Sequence, residues 1–416
     1  MNFKAIVGLV ALGVAFSASA FEVKNVAARQ RWPWNSLIDV DFVIEQASAD
    51  GKFSVGITAT CDGDTRTIVG KTYRSDIICG AGQNRLVWDV GADAPGLKTT
   101  DLRISVTATP FAANAAAYCV IDLSAGPNAE QYPIRYTLEG PGHEQGAAGE
   151  TCQMTEMWLK RVSASTYAFH STDTVKAGWF KAKLTKDYYC GLFECTQQQW
   201  YQVMGTWPSR FSNVEYRPSR PVERVALTTL IGQTQWPDDK TIGADSFVGK
   251  IRARTGLKAF NLPTEAQWEW ASRGGKSGSI YANATTSRYK ATSGTVSSYA
   301  DADVTVGTAW VGSYAANAWG FYDTLGNVAE WTLDTYVGET ALKALYADEI
   351  ADPGYVTDPE GPANTDSADN LHVVKGGNYA SNTGGDFPST VFAREDIAAS
   401  ASADVKIGAR FVVTCE

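Results

Sequence analysis

The stretch Asn317-Ala-Trp-Gly-Phe-Tyr-Asp-Thr-Leu-Gly-Asn-Val-Ala-Glu-Trp-Thr332 constrains this chain more than any other part of it. Gly320 and Gly326 can take backbone angles that other residues avoid. Asn327 tolerates the left-handed region and bonds its own backbone. Between them, Trp319, Phe321, Tyr322 and Trp331 bring large apolar area. The mixture predicts a segment that is irregular yet packed. Burying Glu330 inside it is costly unless a cation, a metal or several donors meet the carboxylate.

A chain of 416 residues predicts two domains. Lys4, the apolar run Ile6 to Phe16 and Ala18-Ser-Ala20 form the pattern of a cleaved signal peptide over residues 1–20, with the mature chain starting at Phe21. The expectation is a secreted or periplasmic protein. No Cys stands at the junction to carry a lipid. No later apolar run approaches the roughly 20 residues that span a bilayer, so no membrane insertion is expected. The net charge of -9 is spread along the chain, and no Lys/Arg cluster is interleaved with aromatics. That argues against nucleic acid as a partner. Thirteen Trp, eighteen Tyr and thirty-eight Gly point to a large core with many tightly turned loops.

Seven Cys in an exported chain predict disulfides, with an odd one left over. Cys61 and Cys79 are candidates for one bridge. Either Cys190 or Cys195 is a candidate to reach Cys415, and Cys119 and Cys152 flank the expected linker. Cys190 and Cys195 lack the spacing of a redox dithiol, and there are too few His for a zinc site of mixed Cys and His.

Between Phe21 and Leu138 the pattern has period two. Ile38, Val40, Phe42 and Ile44 alternate with Asp39 and Asp41, and Leu102, Ile104 and Val106 alternate with Arg103 and Ser105. About seven such strands without a helix predict an all-β sandwich over residues 21–138. The Asp62-Gly-Asp64 turn lacks the further ligands of a calcium loop. Exposed Trp32 and Trp34 are candidates for glycan or partner contact, though aromatics at a domain start also cover core edges. The Gly-rich, aperiodic residues 139–150 read as a linker.

From residue 151 to 416 strand-like pieces alternate with capped helices. Thr196 with Gln199 and Thr264 with Gln267 have the spacing of capping boxes, and Ser246 opens a helix that Gly256 closes. The intervals Ser272 to Trp310 and Asp334 to Asn370 read as long loops. His372 beside Asp369 reads as a solvated loop residue, and Asp358 and Glu360 as surface charges.

Tyr189-Cys-Gly-Leu-Phe-Glu-Cys-Thr-Gln-Gln-Gln-Trp200, Arg220-Pro-Val-Glu223, Asn261-Leu-Pro-Thr-Glu-Ala-Gln-Trp-Glu-Trp270, Asn317 to Trp331, Val374-Lys-Gly-Gly-Asn-Tyr379 and Gly408-Ala-Arg-Phe411 occur in this order. Together they resemble the formylglycine-generating enzyme, or sulfatase-modifying factor, family. The resemblance implies an α+β protein whose C-terminal domain has an irregular C-type-lectin-like fold, preceded here by the all-β sandwich. It also implies calcium held by Leu325, Gly326, Asn327, Val328 and Glu330, a set of oxygens suited to a hard cation. The alternative is that Glu330 accepts backbone N–H groups or meets an Arg.

The family's enzymes oxidise a substrate cysteine through a copper-binding cysteine pair in the interval corresponding to Asn378 to Ile407. This chain has no Cys there, which argues against copper and against that mechanism. Iron held by a His triad is also unsupported, because His143, His170 and His372 are widely spaced, and no Gly-x-Ser-x-Gly segment supplies a serine nucleophile. The preferred expectation is a non-catalytic module binding a protein, peptide or glycan, with Asn378, Tyr379, Ser381, Asn382 and Asp386 as the candidate ligand surface. The alternative is a formylglycine-generating oxidase with a divergent site.

Overall fold

The computed structural model describes residues 21–31, 36–46, 52–61, 64–110, 118–170, 180–212, 214–232, 235–275, 307–363, 371–381, 390–400 and 404–415. The expected signal peptide, Trp32, Trp34, Asp369, Asn382, Asp386 and most of the interval 272–310 lie outside them. The chain forms two compact units, one running through Val120 together with Ile134–Gly140, the other comprising Ile121–Pro133 and Pro141 onward. It is a mixed α+β protein in which strand predominates.

The first unit is β-rich. Phe21–Gln30 pairs antiparallel with Leu37–Gln46, which pairs with Gly82–Asp89. In a second sheet Lys52–Cys61 has Arg103–Pro110 along one side and Asp64–Val69 and Ile78–Gly80 along the other. The alternating residues converge: Val40, Phe42 and Ile44 join Val55, Ile57, Ile104 and Val106 in one core around Trp88 and Tyr73. Each large apolar side chain fully buried there contributes about 1.5–3 kcal/mol. The polar atoms of the two large aromatics are satisfied, since Trp88 Nε1 donates to Asp93 at 2.7 Å and the Tyr73 hydroxyl to the Gly70 carbonyl at 3.0 Å.

In the second unit Glu156–Val162, Tyr188–Gly191, Val412–Thr414 and Phe260–Asn261 form an antiparallel sheet. Ala329–Thr335 lies between Leu371–Lys375, antiparallel, and Ile407–Gly408, parallel. The capping boxes act as their spacing predicts. The Thr196 hydroxyl accepts from Gln199 N, the Gln199 side chain accepts from Thr196 N at 3.0 Å, and Gly205 ends helix Gln197–Met204 at φ 70°. Thr264 and Gln267 start helix Glu265–Arg273 in the same way, and Ser246 caps Phe247–Thr255. Trp200, Val203, Phe247, Ile251, Trp268 and Ala271 are among the apolar residues these helices bury.

Several expectations are corrected. Among the described residues no two cysteines lie at disulfide distance. Cys79 stands opposite Phe53, while Cys61 ends the same strand. That places the pair about 26 Å apart along the strand, whereas a bridge needs Cα atoms within about 7 Å. Tyr188 pairs with Thr414, and Cys415 N donates to the Asp187 carbonyl at 2.8 Å, so Cys415 is offset along the strand from Cys190 by about 10 Å. Cys195 lies farther still, its N–H bonded to the Ala409 carbonyl. His372 is not solvated: it is buried in strand Leu371–Lys375, with Nδ1 3.1 Å from the Leu333 carbonyl. The interval after Asp334 holds helices Glu339–Leu345 and Ala347–Ala351, with Leu342 buried.

Candidate functional site

Every residue of strand Ala329–Thr335 is buried. Glu330 meets a guanidinium there. Arg410 Nε lies 3.1 and 2.9 Å from its two oxygens and Nη2 lies 2.7 Å from Oε1, while Trp268 Nε1 donates to Oε2 at 2.6 Å. Arg410 also donates to the carbonyls of Gly191 at 2.9 Å and Tyr322 at 2.8 Å. Burial alone lowers the Arg410 pKa, but Glu330 outweighs it and holds the group cationic.

Asn327 takes the left-handed conformation, φ 53°, that its residue type permits. Its Oδ1 accepts Ala309 N at 3.0 Å, its Nδ2 donates to Glu194 Oε2 at 2.6 Å, and its carbonyl accepts Tyr379 N at 2.8 Å. Val328 N donates to Glu194 Oε1 at 3.0 Å, and Gly326 N to the Gly376 carbonyl at 2.9 Å. Leu325, Gly326, Asn327, Val328 and Glu330 therefore do not fit a calcium ion. The carboxylate and the side-chain amide oxygen are already occupied by N–H donors, and the Arg410 guanidinium already neutralises Glu330.

Of the candidate ligand surface, Asn378, Tyr379 and Ser381 are buried at 5, 7 and 5% exposure. Asn378 N donates to Ser381 Oγ at 2.9 Å, Ala380 N to Asn378 Oδ1 at 2.9 Å, and Tyr379 packs edge-on against Phe211. These contacts pin the three residues into a buried turn. Gly376 and Gly377 lead into it at φ 89° and 66°, and a Cβ on Gly376 would come within 2.9 Å of the Thr324 carbonyl.

The thiols nearest in sequence to the family motifs are inert by placement. Cys190 and Cys195 are buried at 1 and 2% exposure, and burial pushes the Cys190 thiol up to about 12 and Cys195 higher. A buried thiol held protonated in this way is a poor nucleophile.

Helix Glu265–Arg273 carries two buried carboxylates that no apolar pattern explains. Glu265 is held by Arg394 Nε at 2.9 and 3.0 Å, Lys375 Nζ at 3.1 Å and His170 Nε2 at 2.9 Å. Glu269 accepts from Arg273 Nε at 2.9 Å, from His170 N at 2.7 Å and from Lys375 at 3.3 Å. Burial would raise both carboxyls, but the surrounding cations hold Glu265 well below its ordinary range and Glu269 below it. Asp334 accepts Glu265 N at 2.6 Å, yet burial and then Glu265 push its carboxyl up to about 8. A raised acid costs stability as pH climbs from its unfolded value, about 3.9, to its folded one. Asp334→Asn is therefore expected to melt higher than wild type at pH 7, with the gap closing near pH 4. Melting curves that differ equally at both pH values would contradict the assignment.

A separate cluster gathers where the sequence suggests only linker. His143 Nδ1 contacts Glu150 Oε2, Cys152 Sγ donates to the same oxygen at 3.6 Å, and the three ligand atoms lie within 4.8 Å of one another. The imidazole packs edge-on against Phe193 and Tyr322, ring centroids 5.0 Å away in each case. Its Nε2 lies 3.2 Å from the Gly312 carbonyl, and Gly312 N donates to Asp323 at 2.5 Å. Gly312 is required here: at φ 77° a Cβ would lie 2.2 Å from His143 Nε2. The spacing of His143, Glu150 and Cys152 was the one available sequence signal, but Gly312 lies 169 residues from His143.

Among curated relatives, the chain is 28% identical over 190 residues to "Chaperone protein LppX" of Paenibacillus barcinonensis, which covers 38% of this chain and 66% of that protein. It is 31% identical over 175 residues to a formylglycine-generating enzyme of Thermomonospora curvata, covering 40% of this chain and 47% of the enzyme. The chain thus spans about half to two thirds of the length of these relatives. Among solved structures, Treponema denticola variable protein 1 aligns with TM-score 0.45 and 22% identity over 66% of this chain and 100% of that one. PvdO from Pseudomonas aeruginosa aligns with TM-score 0.42 and 16% identity, again over 66% of this chain and 100% of that one. The family profile described as "Sulfatase-modifying factor enzyme 1-like domain" matches residues 148–415, well over half of the sequence, and the chain belongs to this FGE-sulfatase family.

Proposed function

We propose that the FGE-sulfatase domain of this chain is a non-catalytic module that binds a protein partner, built on a C-type-lectin-like framework that follows a β-sandwich in an exported protein. The observation that carries this reading is the cysteine distribution. Residues 378–407 contain no Cys, and the thiols of Cys190 and Cys195 are buried and held protonated. A copper-thiolate oxidase needs two accessible thiolates on one metal. The similarity to a protein named a chaperone favours a polypeptide over a glycan as the partner.

The test is direct. Purified protein is incubated with copper, oxygen and a peptide carrying the Cys-x-Pro-x-Arg motif, and the peptide mass is followed. The expected outcome is an unchanged cysteine, together with slower aggregation of a chemically denatured client protein when this chain is present. Formylglycine in the peptide would replace this reading with the oxidase one.

A further inference from the structure

We propose that His143, Glu150 and Cys152 form a zinc(II) site with three protein ligands and a fourth position open to solvent. Nitrogen, oxygen and sulfur donors converge within 4.8 Å, and this mixed set suits zinc better than a hard cation or copper(I). Side-chain exposure is 2% for His143 and 28% for Glu150, so the imidazole is fixed by packing while the carboxylate side faces water.

The surroundings prepare each ligand. In the tautomer whose Nε2–H donates to the Gly312 carbonyl, Nδ1 is the ring nitrogen left to ligate a metal, beside Glu150 Oε2. A proton bridges the two atoms in this arrangement, and zinc would replace it as the two side chains part to ligand distance. A backbone carbonyl bonded to the other ring nitrogen is a usual partner of a metal-bound histidine. The edge-on contacts with Phe193 and Tyr322 hold the ring plane. Glu150 is fixed too, since its N–H donates to Gln153 Oε1 at 3.1 Å at the start of helix Thr151–Met154, which carries Cys152.

A Cys–His nucleophilic pair is the competing chemistry, and the geometry disfavours it. The thiol donates to Glu150, and both imidazole nitrogens are directed elsewhere. Glu150 also sets a carboxylate directly beside the thiol. The same negative charge that disfavours a bare thiolate favours a cation. Zinc binding then forms the S–Zn bond as the S–H bond breaks, releases one proton to solvent and weakens as pH falls.

The experiment uses the full chain, stripped with EDTA and titrated with zinc or cobalt(II). The expected result is one zinc per chain at micromolar affinity, and a cobalt form with a near-ultraviolet thiolate-to-cobalt charge-transfer band. Cys152→Ser abolishes that band, and His143→Gln weakens zinc binding by roughly 10- to 100-fold, the cost of disturbing a ligand's environment or worse. Absence of the band from folded wild-type protein, or equal zinc affinity in Cys152→Ser, overturns the proposal. Should Cys152→Ser fail to fold, the wild-type cobalt spectrum decides.

Discussion

Arg410→Met is expected to destabilise the FGE-sulfatase unit by about 3–5 kcal/mol, the cost of leaving a buried ion without its partner. Arg410 and Glu330 are exposed by 2 and 1%, so water cannot replace the lost guanidinium. The loss also strips the Gly191 and Tyr322 carbonyls of a donor. Each net hydrogen bond is worth about 1 kcal/mol, so the double variant Arg410→Met/Glu330→Leu should recover only part of the loss. Urea unfolding followed by tryptophan fluorescence suits the measurement, because Trp268 sits on the ion pair. A single variant within 1 kcal/mol of wild type would show that the pair contributes little to holding Ala329–Thr335 against Ile407–Gly408.

Glu269→Gln is expected to cost a similar amount, about 3–5 kcal/mol at pH 7. Arg273 is fully buried and Glu269 is the carboxylate that faces it at 2.8 Å, with Lys375 sharing the same partner. The pH dependence has a definite sign. Glu265 and Glu269 have folded pKa values below their unfolded ones, so their stabilisation is complete above the unfolded value, about 4.3, and is lost as pH falls through the folded values. The variant should therefore track wild type more closely as pH falls below 4. A deficit that stays constant from pH 7 to pH 3 would assign the loss to packing instead of charge.

Local order was legible because it is written in short-range chemistry. Thr196 and Gln199, Thr264 and Gln267, and Ser246 before Gly249 each cap a helix through groups three residues apart. The alternation at Ile38 to Ile44 places side chains on one face whatever the strand pairs with. Asn378, Tyr379 and Ser381 show the limit of such reading. Their composition resembles a binding loop, but the same polar atoms satisfy a buried turn, and composition does not say which. The cysteine pairings failed for a related reason: spacing along the chain carries no register, and register put Cys79 opposite Phe53.

By itself the sequence determined the family, the alternating strands of the first unit, the capped helices, and the absence of cysteines from Asn378 to Ile407. It also determined that Glu330, once buried, needs a cation, a metal or several donors, since burying a bare carboxylate is prohibitive. Only the tertiary structure decided that this partner is Arg410, 80 residues away, and that His143, Glu150 and Cys152 share one point with Gly312 behind them. The physical reason is range. Capping and alternation act over a few residues, whereas charge pairing and metal ligation depend on distances of a few ångströms that chain closure sets after the core has packed.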